Sequence, residues 1–152
     1  MHARALSCWR KLQEAGLDIE VRELAESTRT AAEAAAAVGC DVGQIVKSLL
    51  FVVKAKPLLV LCAGDRRVDL AKLGEGAAQA RPDQVKSATG YAIGGVPPLG
   101  HTHPLPTVVD ESLRRFASVW CAAGTPNAVF EARLDDLLAA IPGSEVRDVA
   151  QA

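Results

Sequence analysis

Hydrophobic positions recur along the chain in two rhythms. Near the amino end, Leu6, Trp9 and Leu12 return at three-residue spacing, which predicts a helix over about residues 3–15, ended by Gly16. The next segment, LDIEVREL, alternates Ile19 and Val21 with Glu20 and Arg22, the rhythm of an edge or half-buried strand. Thr30 and Glu33 fit a capping box ahead of an alanine-rich helix, and Gly39 suits its left-handed stop. Two apolar runs, VKSLLFVV and PLLVLCA, flank KAK and predict a hairpin. Pro57 is tolerable there because it opens the second run.

Beyond the hairpin, GDRRVDLAKLGEGAAQA predicts a turn and then a helix with Leu70 and Leu73 on one side. RPDQVKSATG predicts a short helix capped near Asp83 and closed by Gly90. TVVD reads as a strand, ESLRRFA as a helical turn or two, and SVWCAAG and AVFEAR as strands joined by GTPN. LDDLLAAI is a helix with Leu134, Leu137 and Leu138 inward, and SEVRDVA supplies a final strand. Strands cluster in the middle with helices around them, without the regular alternation of a doubly wound sheet. The expected fold is therefore α+β, in one domain spanning residues 1–152.

Composition adds mainly exclusions. A chain of 152 residues can bury a sizeable core in one domain. Its net charge of −1 offers no broad basic surface for a nucleic-acid duplex, although a small basic mouth would not show in that sum. The longest apolar runs are too short to cross a membrane, and no long one follows the positive charges at the amino end. The scattered cysteines, Cys8, Cys40, Cys62 and Cys121, form no CxxC pair. They read as reduced, mostly buried thiols of a cytoplasmic protein.

Candidate chemistry concentrates in GYAIGGVPPLGHTHPLP, residues 90–106. His101 and His103 would share a strand face, but a zinc or iron site needs three or four ligands, and no Cys or carboxylate stands at a familiar spacing. Solvent-facing loop histidines are the favoured expectation, with no metal. The phosphate-cradling patterns GxxxxGK[ST] and GxGxxG are missing, as is the nucleophile motif GxSxG, and Cys121 in its apolar run reads as core. Lys47 is different, because it interrupts an apolar strand. If Val46, Ser48 and Leu50 face one way, Lys47 faces the other with Leu49 and Phe51, and its amine must snorkel or find an anion. Gly94 and Gly95 permit positive φ or close backbone approach, while Pro97 and Pro98 stiffen the chain just beyond them. Such a loop suits the wall of a pocket for a small polar ligand. AAGTPN, residues 122–127, offers a second wall.

Taken in order, TAAEAAAAVGCDVGQIVKSLLF, LVLCAGDRRVDLAKL, TGYAIGGVPPLGH and AAGTPNAVFEARLDDLLAAI resemble the YbaK-like family. This family groups freestanding relatives of the editing domain inserted in bacterial prolyl-tRNA synthetases. The resemblance covers about residues 20–148, and the lysine strand and GYxxGGxxPxG loop carry it most specifically. It implies a mixed, barrel-like sheet surrounded by helices, and metal-independent, cofactor-free hydrolysis of the ester on mischarged tRNA. Its implied partners are the tRNA acceptor end and an aminoacyl-tRNA synthetase. By position, it implies that Lys47 holds the terminal phosphate or ribose, and that Gly124 with Ala123 and Thr125 binds the carbonyl or the attacking water. Gly94, Gly95 and Pro98, extended to Gly100 and His101, would form the pocket loop. Ser48 stands where alanine-editing members carry asparagine and cysteine-editing members threonine, so a small amino acid of the Ala, Ser, Thr or Cys class is expected. A pocket that has kept its shape but lost catalysis, and so only binds aminoacyl-tRNA or an amino acid, is the alternative.

Overall fold

The computed structural model describes residues 1–25 and 30–152. Helix α1, Ala3–Glu14, buries Ala5, Cys8 and Leu12, whereas Leu6 is 48% exposed. The buried set follows the 3.6-residue period of a helix, which the strict three-residue spacing of Leu6, Trp9 and Leu12 does not. Trp9 instead lies partly buried at the helix margin and donates its indole N–H to the Ile19 carbonyl at 2.9 Å. Strand β1 is Val21–Glu23.

Helix α2, Ala31–Val38, starts where Thr30 Oγ1 accepts the Glu33 amide at 3.1 Å. It stops at Gly39, whose φ of 78° is left-handed. A 3-10 turn, Val42–Gln44, leads into the hairpin of β2, Val46–Val53, and β3, Lys56–Ala63, in register Lys47 with Cys62 and Val53 with Lys56. The connecting residues Lys54 and Ala55 both have positive φ, 52° and 64°, as tight two-residue hairpin turns require. Neither is glycine, and a side chain there costs roughly 1 kcal/mol. Ala55→Gly is therefore expected to stabilise the protein by about 0.5–1 kcal/mol, raising the thermal midpoint by about 2–3 °C. A calorimetric scan checks this, and a lower midpoint would mean that the turn is not under strain.

The remaining elements are short. They are β4 (Arg67–Val68), α3 (Leu70–Leu73), β5 (Ala78–Gln79), α4 (Pro82–Thr89), β6 (Thr107–Asp110), β7 (Ser118–Ala122), β8 (Ala128–Arg133), α5 (Leu134–Ala139), β9 (Glu145–Arg147) and β10 (Ala150–Gln151). Of the two leucines expected inward from α3, Leu73 is buried and Leu70 is 43% exposed. In α5, Leu134 and Leu137 are buried, and Leu138 packs against the same core.

The strands form three sheets. One is five-stranded in the order β5-β2-β3-β6-β9, with β6 parallel to both β3 and β9. The second is an antiparallel ladder β1-β8-β7, and the third is the pair β10-β4. The sheet is mixed, as expected, but it is not a closed barrel. An isolated bridge between Ile45 and Trp120 is where β2 comes up to β7, and the two strands do not continue as a ladder. The main core fills the face carrying Val46, Leu50, Leu59 and Leu61, and a second cluster holds Phe51, Val60 and Cys62 on the opposite face. At the carboxyl end of β6, buried Asp110 accepts the amides of Val149 and Ser112, at 2.9 and 3.1 Å, and so ties down the final turn. Burial, the largest single effect, pushes its carboxyl up, but the bond from the Ser112 hydroxyl and these amide bonds together hold it below the usual carboxylate range.

Candidate functional site

A cleft of about 270 Å³ opens beside β2. Five successive residues, Val46, Lys47, Ser48, Leu49 and Leu50, line it. A pleated face presents only alternate residues, so the cleft must run along the edge of the strand. Among the described residues that edge is open, because β5 pairs only with Phe51 and Val52, and β7, though it packs close by, is bridged only at Ile45 just before the strand. Opposite the edge stand Trp120, Cys121 and Ala122 of β7. Ala31, Ala34 and Val38 of α2 close one side, and Ile93, Gly94 and Pro126 close the other.

The ladder fixes where the main chain of β2 points. Leu59 donates its amide to Pro106, away from β2, so Leu58, Val60 and Cys62 face β2 and pair with Phe51, Leu49 and Lys47. The N–H and C=O groups of Val46, Ser48 and Leu50 consequently point the other way, and the Leu50 carbonyl does accept the Ala80 amide at 3.0 Å. Ser48 thus turns an amide and a carbonyl toward the cleft. Its hydroxyl is buried and has no hydrogen-bond partner among the described residues. An unsatisfied buried hydroxyl costs about 1–3 kcal/mol, and a ligand atom could relieve that cost.

Lys47 also lines the cleft. Its amine donates to the Arg66 carbonyl in the turn after β3, so the acceptor that this half-buried lysine finds is a main-chain oxygen. Asp65 in the same turn takes both terminal nitrogens of Arg115, at 2.9 and 2.7 Å, which fixes the turn against the 3-10 helix Glu111–Arg115. Among the described residues lining the cleft, Lys47 is the one that carries a charge.

The two glycine bends interlock. Gly124, at φ 97°, donates its amide to the Gly95 carbonyl at 2.9 Å. A Cβ on Gly95 would stand 2.9 Å from the Gly124 carbonyl oxygen. Behind the bend, a Cβ on Gly124 would meet the Arg4 carbonyl at 2.9 Å and Cys8 at 3.1 Å, so α1 backs it directly. Ala123 donates its amide to the Ala128 carbonyl at 2.8 Å, and the Thr125 hydroxyl donates to Asn127. Ala123, Gly124 and Thr125 therefore stand behind the cleft wall, with the amides of Ala123 and Gly124 already committed. Ala122 and Pro126 on either side of them reach the cleft surface.

In the glycine–proline loop, Gly94 lines the cleft, while Gly95 and Pro98 are buried behind it. Gly100, at φ 84°, packs beside Lys11, and its carbonyl accepts the Tyr91 hydroxyl at 3.4 Å. His101 Nε2 donates to the Pro97 carbonyl at 2.8 Å, so this histidine is a clasp within the loop rather than a solvent-facing residue. His103 is exposed. Among the described residues, no group of three or more His, Cys, Asp or Glu side chains could hold a metal ion.

Burial pushes the His101 imidazole below its usual 6.5, and Lys11 adds to the effect against the Pro97 bond. A histidine held neutral in the folded state binds more protons when unfolded. Its stabilising contribution is therefore complete above pH 6.5 and is lost as pH falls below that value. The urea midpoint is expected to decline below pH 6.5 and the decline to flatten in His101→Gln. An identical pH profile in the variant would contradict the assignment. The depressed carboxyls of Asp65 and Asp110 act in a separate window, below 3.8.

The aminoacyl-tRNA editing domain family matches residues 25–140. The Bacillus subtilis protein YwhH is 35% identical over 117 residues, 74% of each chain. EbsC of Enterococcus faecalis, a candidate Cys-tRNA(Pro)/Cys-tRNA(Cys) deacylase, is 27% identical over 65% of this chain and 64% of its own. Among solved structures, a candidate trans-editing enzyme for prolyl-tRNA synthetase superposes with a TM-score of 0.93 at 44% identity, covering 100% of this chain and 99% of the other.

Proposed function

The chain belongs to the aminoacyl-tRNA editing domain family, and from that premise we propose that it hydrolyses the ester between a small amino acid and the 3′-terminal adenosine of a mischarged tRNA. One observation carries this reading. Among its described lining residues the cleft has a cationic one, Lys47, next to an open strand edge, the two things needed to hold a phosphorylated sugar and to orient an ester. An aminoacyl ester is already activated, so positioning and a few oriented dipoles suffice, without metal or cofactor. Lys47 takes the terminal phosphate or ribose. The Ser48 amide faces the ester, because the amides of Ala123 and Gly124 serve the fold instead. Gly94 and the interlocked pair Gly95 and Gly124 keep the far wall rigid, with Pro98, Gly100, His101, Ala123 and Thr125 supporting it from behind. A neighbouring ribose hydroxyl of the substrate supplies the assistance that no base among the described lining residues offers.

The unpartnered Ser48 hydroxyl supports an amino acid with a polar atom on its side chain, serine or threonine ahead of alanine. The whole chain acts as one domain, in the cytoplasm, on the acceptor end of tRNA delivered by a synthetase. Incubation with tRNAs charged with alanine, cysteine, serine and threonine tests this, with loss of the ester as the readout. Release of serine or threonine above the buffer rate, insensitive to chelator, is expected. No release from any of the four sinks the proposal, and tight binding of an uncleavable analogue in its place would identify a binding module.

A further inference from the structure

The mouth of the cleft carries an apolar side chain that the fold leaves outside. Ile93 is 56% exposed, and of the exposed large hydrophobic residues Met1, Leu6, Leu70 and Ile93 it is the one that lines the cleft. Its backbone is nevertheless well fixed. The Gly95 amide bonds to the Ala92 carbonyl at 3.0 Å, and Gly94 in the third position has φ 93°, the pattern of a type II turn. The side chain is itself stiff, being branched at Cβ. Next to Gly94 on the same wall, the Pro126 ring lies 3.9 Å from where a Gly94 Cβ would stand. Two rigid apolar groups therefore stand side by side at the opening.

The direction of the proposed substrate decides what meets them. With the ester against the open edge of β2 inside the cleft, the ribose that carries it leads outward, and the base on that ribose would lie at the mouth beside Ile93 and Pro126. Resting on the function proposed above, we infer that Ile93 packs on the face of the terminal base and positions the nucleoside while the ester sits inside. Every base has such a face, so the contact orients the nucleotide without reading its identity. Ile93 is a contact residue for the substrate, and no proton passes through it.

The test measures binding, so it does not depend on turnover. An uncleavable 3′-seryl-amide of 3′-deoxy-3′-aminoadenosine is titrated against the same amide built on a ribose without a base. The wild type is expected to bind the base-bearing compound about tenfold more tightly, Ile93→Ser to bring the two within about twofold, and Ile93→Leu to keep most of the preference. A preference that survives Ile93→Ser, or equal weakening of both compounds, overturns the inference. Equal binding of both by the wild type overturns it too, while leaving the hydrolytic reading intact. A base preference that depends on Ile93, in a protein that releases no amino acid from charged tRNA, removes the hydrolytic reading and leaves the base contact standing.

Discussion

Lys47→Ala is expected to slow release of the amino acid from charged tRNA by about 100-fold or more, with the thermal midpoint shifted by no more than about 4 °C. The two halves of this expectation have different causes. Among the described residues of the free protein the amine makes one hydrogen bond, to the Arg66 carbonyl on a turn that the Asp65–Arg115 pair already fixes, so its loss costs about 1 kcal/mol. With substrate bound, Lys47 is the positively charged residue among the described residues lining the cleft, and none of the others can replace it opposite a phosphate or polarised ribose oxygen. Lys47→Arg keeps the charge but changes the reach and the donor geometry, and should recover only part of the rate. A variant that unfolds, or one that keeps its full rate, would make the lysine a structural residue.

Gly95→Ala should have the largest effect on the architecture. Gly95 is not among the left-handed glycines, so backbone strain plays no part. The cost is contact alone. The added methyl would lie 2.9 Å from the Gly124 carbonyl oxygen and 3.0 Å from Thr125 Cα, both main-chain atoms that cannot swing aside. Overpacking of this kind costs about 1–3 kcal/mol, and separating the bends also threatens the bond from the Gly124 amide to the Gly95 carbonyl. A fall in thermal midpoint of about 4–10 °C, with loss of most activity, is expected. Gly76→Ala is the control. Its φ of 76° carries the left-handed penalty, but nothing lies within 4 Å of the new methyl, so it should lower stability by about 1 kcal/mol and leave activity unchanged. Equal losses of activity in the two variants would show that the interlock does not shape the site.

Much of this arrangement was legible in the chain because it depends on local rules. Thr30 and Glu33 start α2, Gly39 and Gly90 end helices, and the paired apolar runs make the hairpin that carries Lys47. The misses arise where distant segments decide. Leu6 and Leu70 have helical spacing, but the core reaches only one side of each helix, and β4, β5 and β10 are two-residue strands defined wholly by their partners. At the site, glycine content marked both bends. That the Gly124 amide is consumed by Gly95 depends on contact between segments about thirty residues apart, and no local pattern encodes it. Ser48 was visible as a substitution within the family pattern. Its open amide arises because β5 ends at Gln79, which leaves the first half of β2 without a strand partner on the edge away from β3.

Amide NMR with the uncleavable seryl-adenosine analogue shows whether the open edge of β2 receives the aminoacyl end of tRNA. Large shifts are expected at Lys47, Ser48, Gly94 and Ala122, with slowed exchange of the Ser48 amide on binding while the paired Leu49 amide stays slow throughout. Shifts confined to the shallow hollow lined by Gly16, Leu17 and Asp136, with Ser48 exchange unchanged, would contradict it.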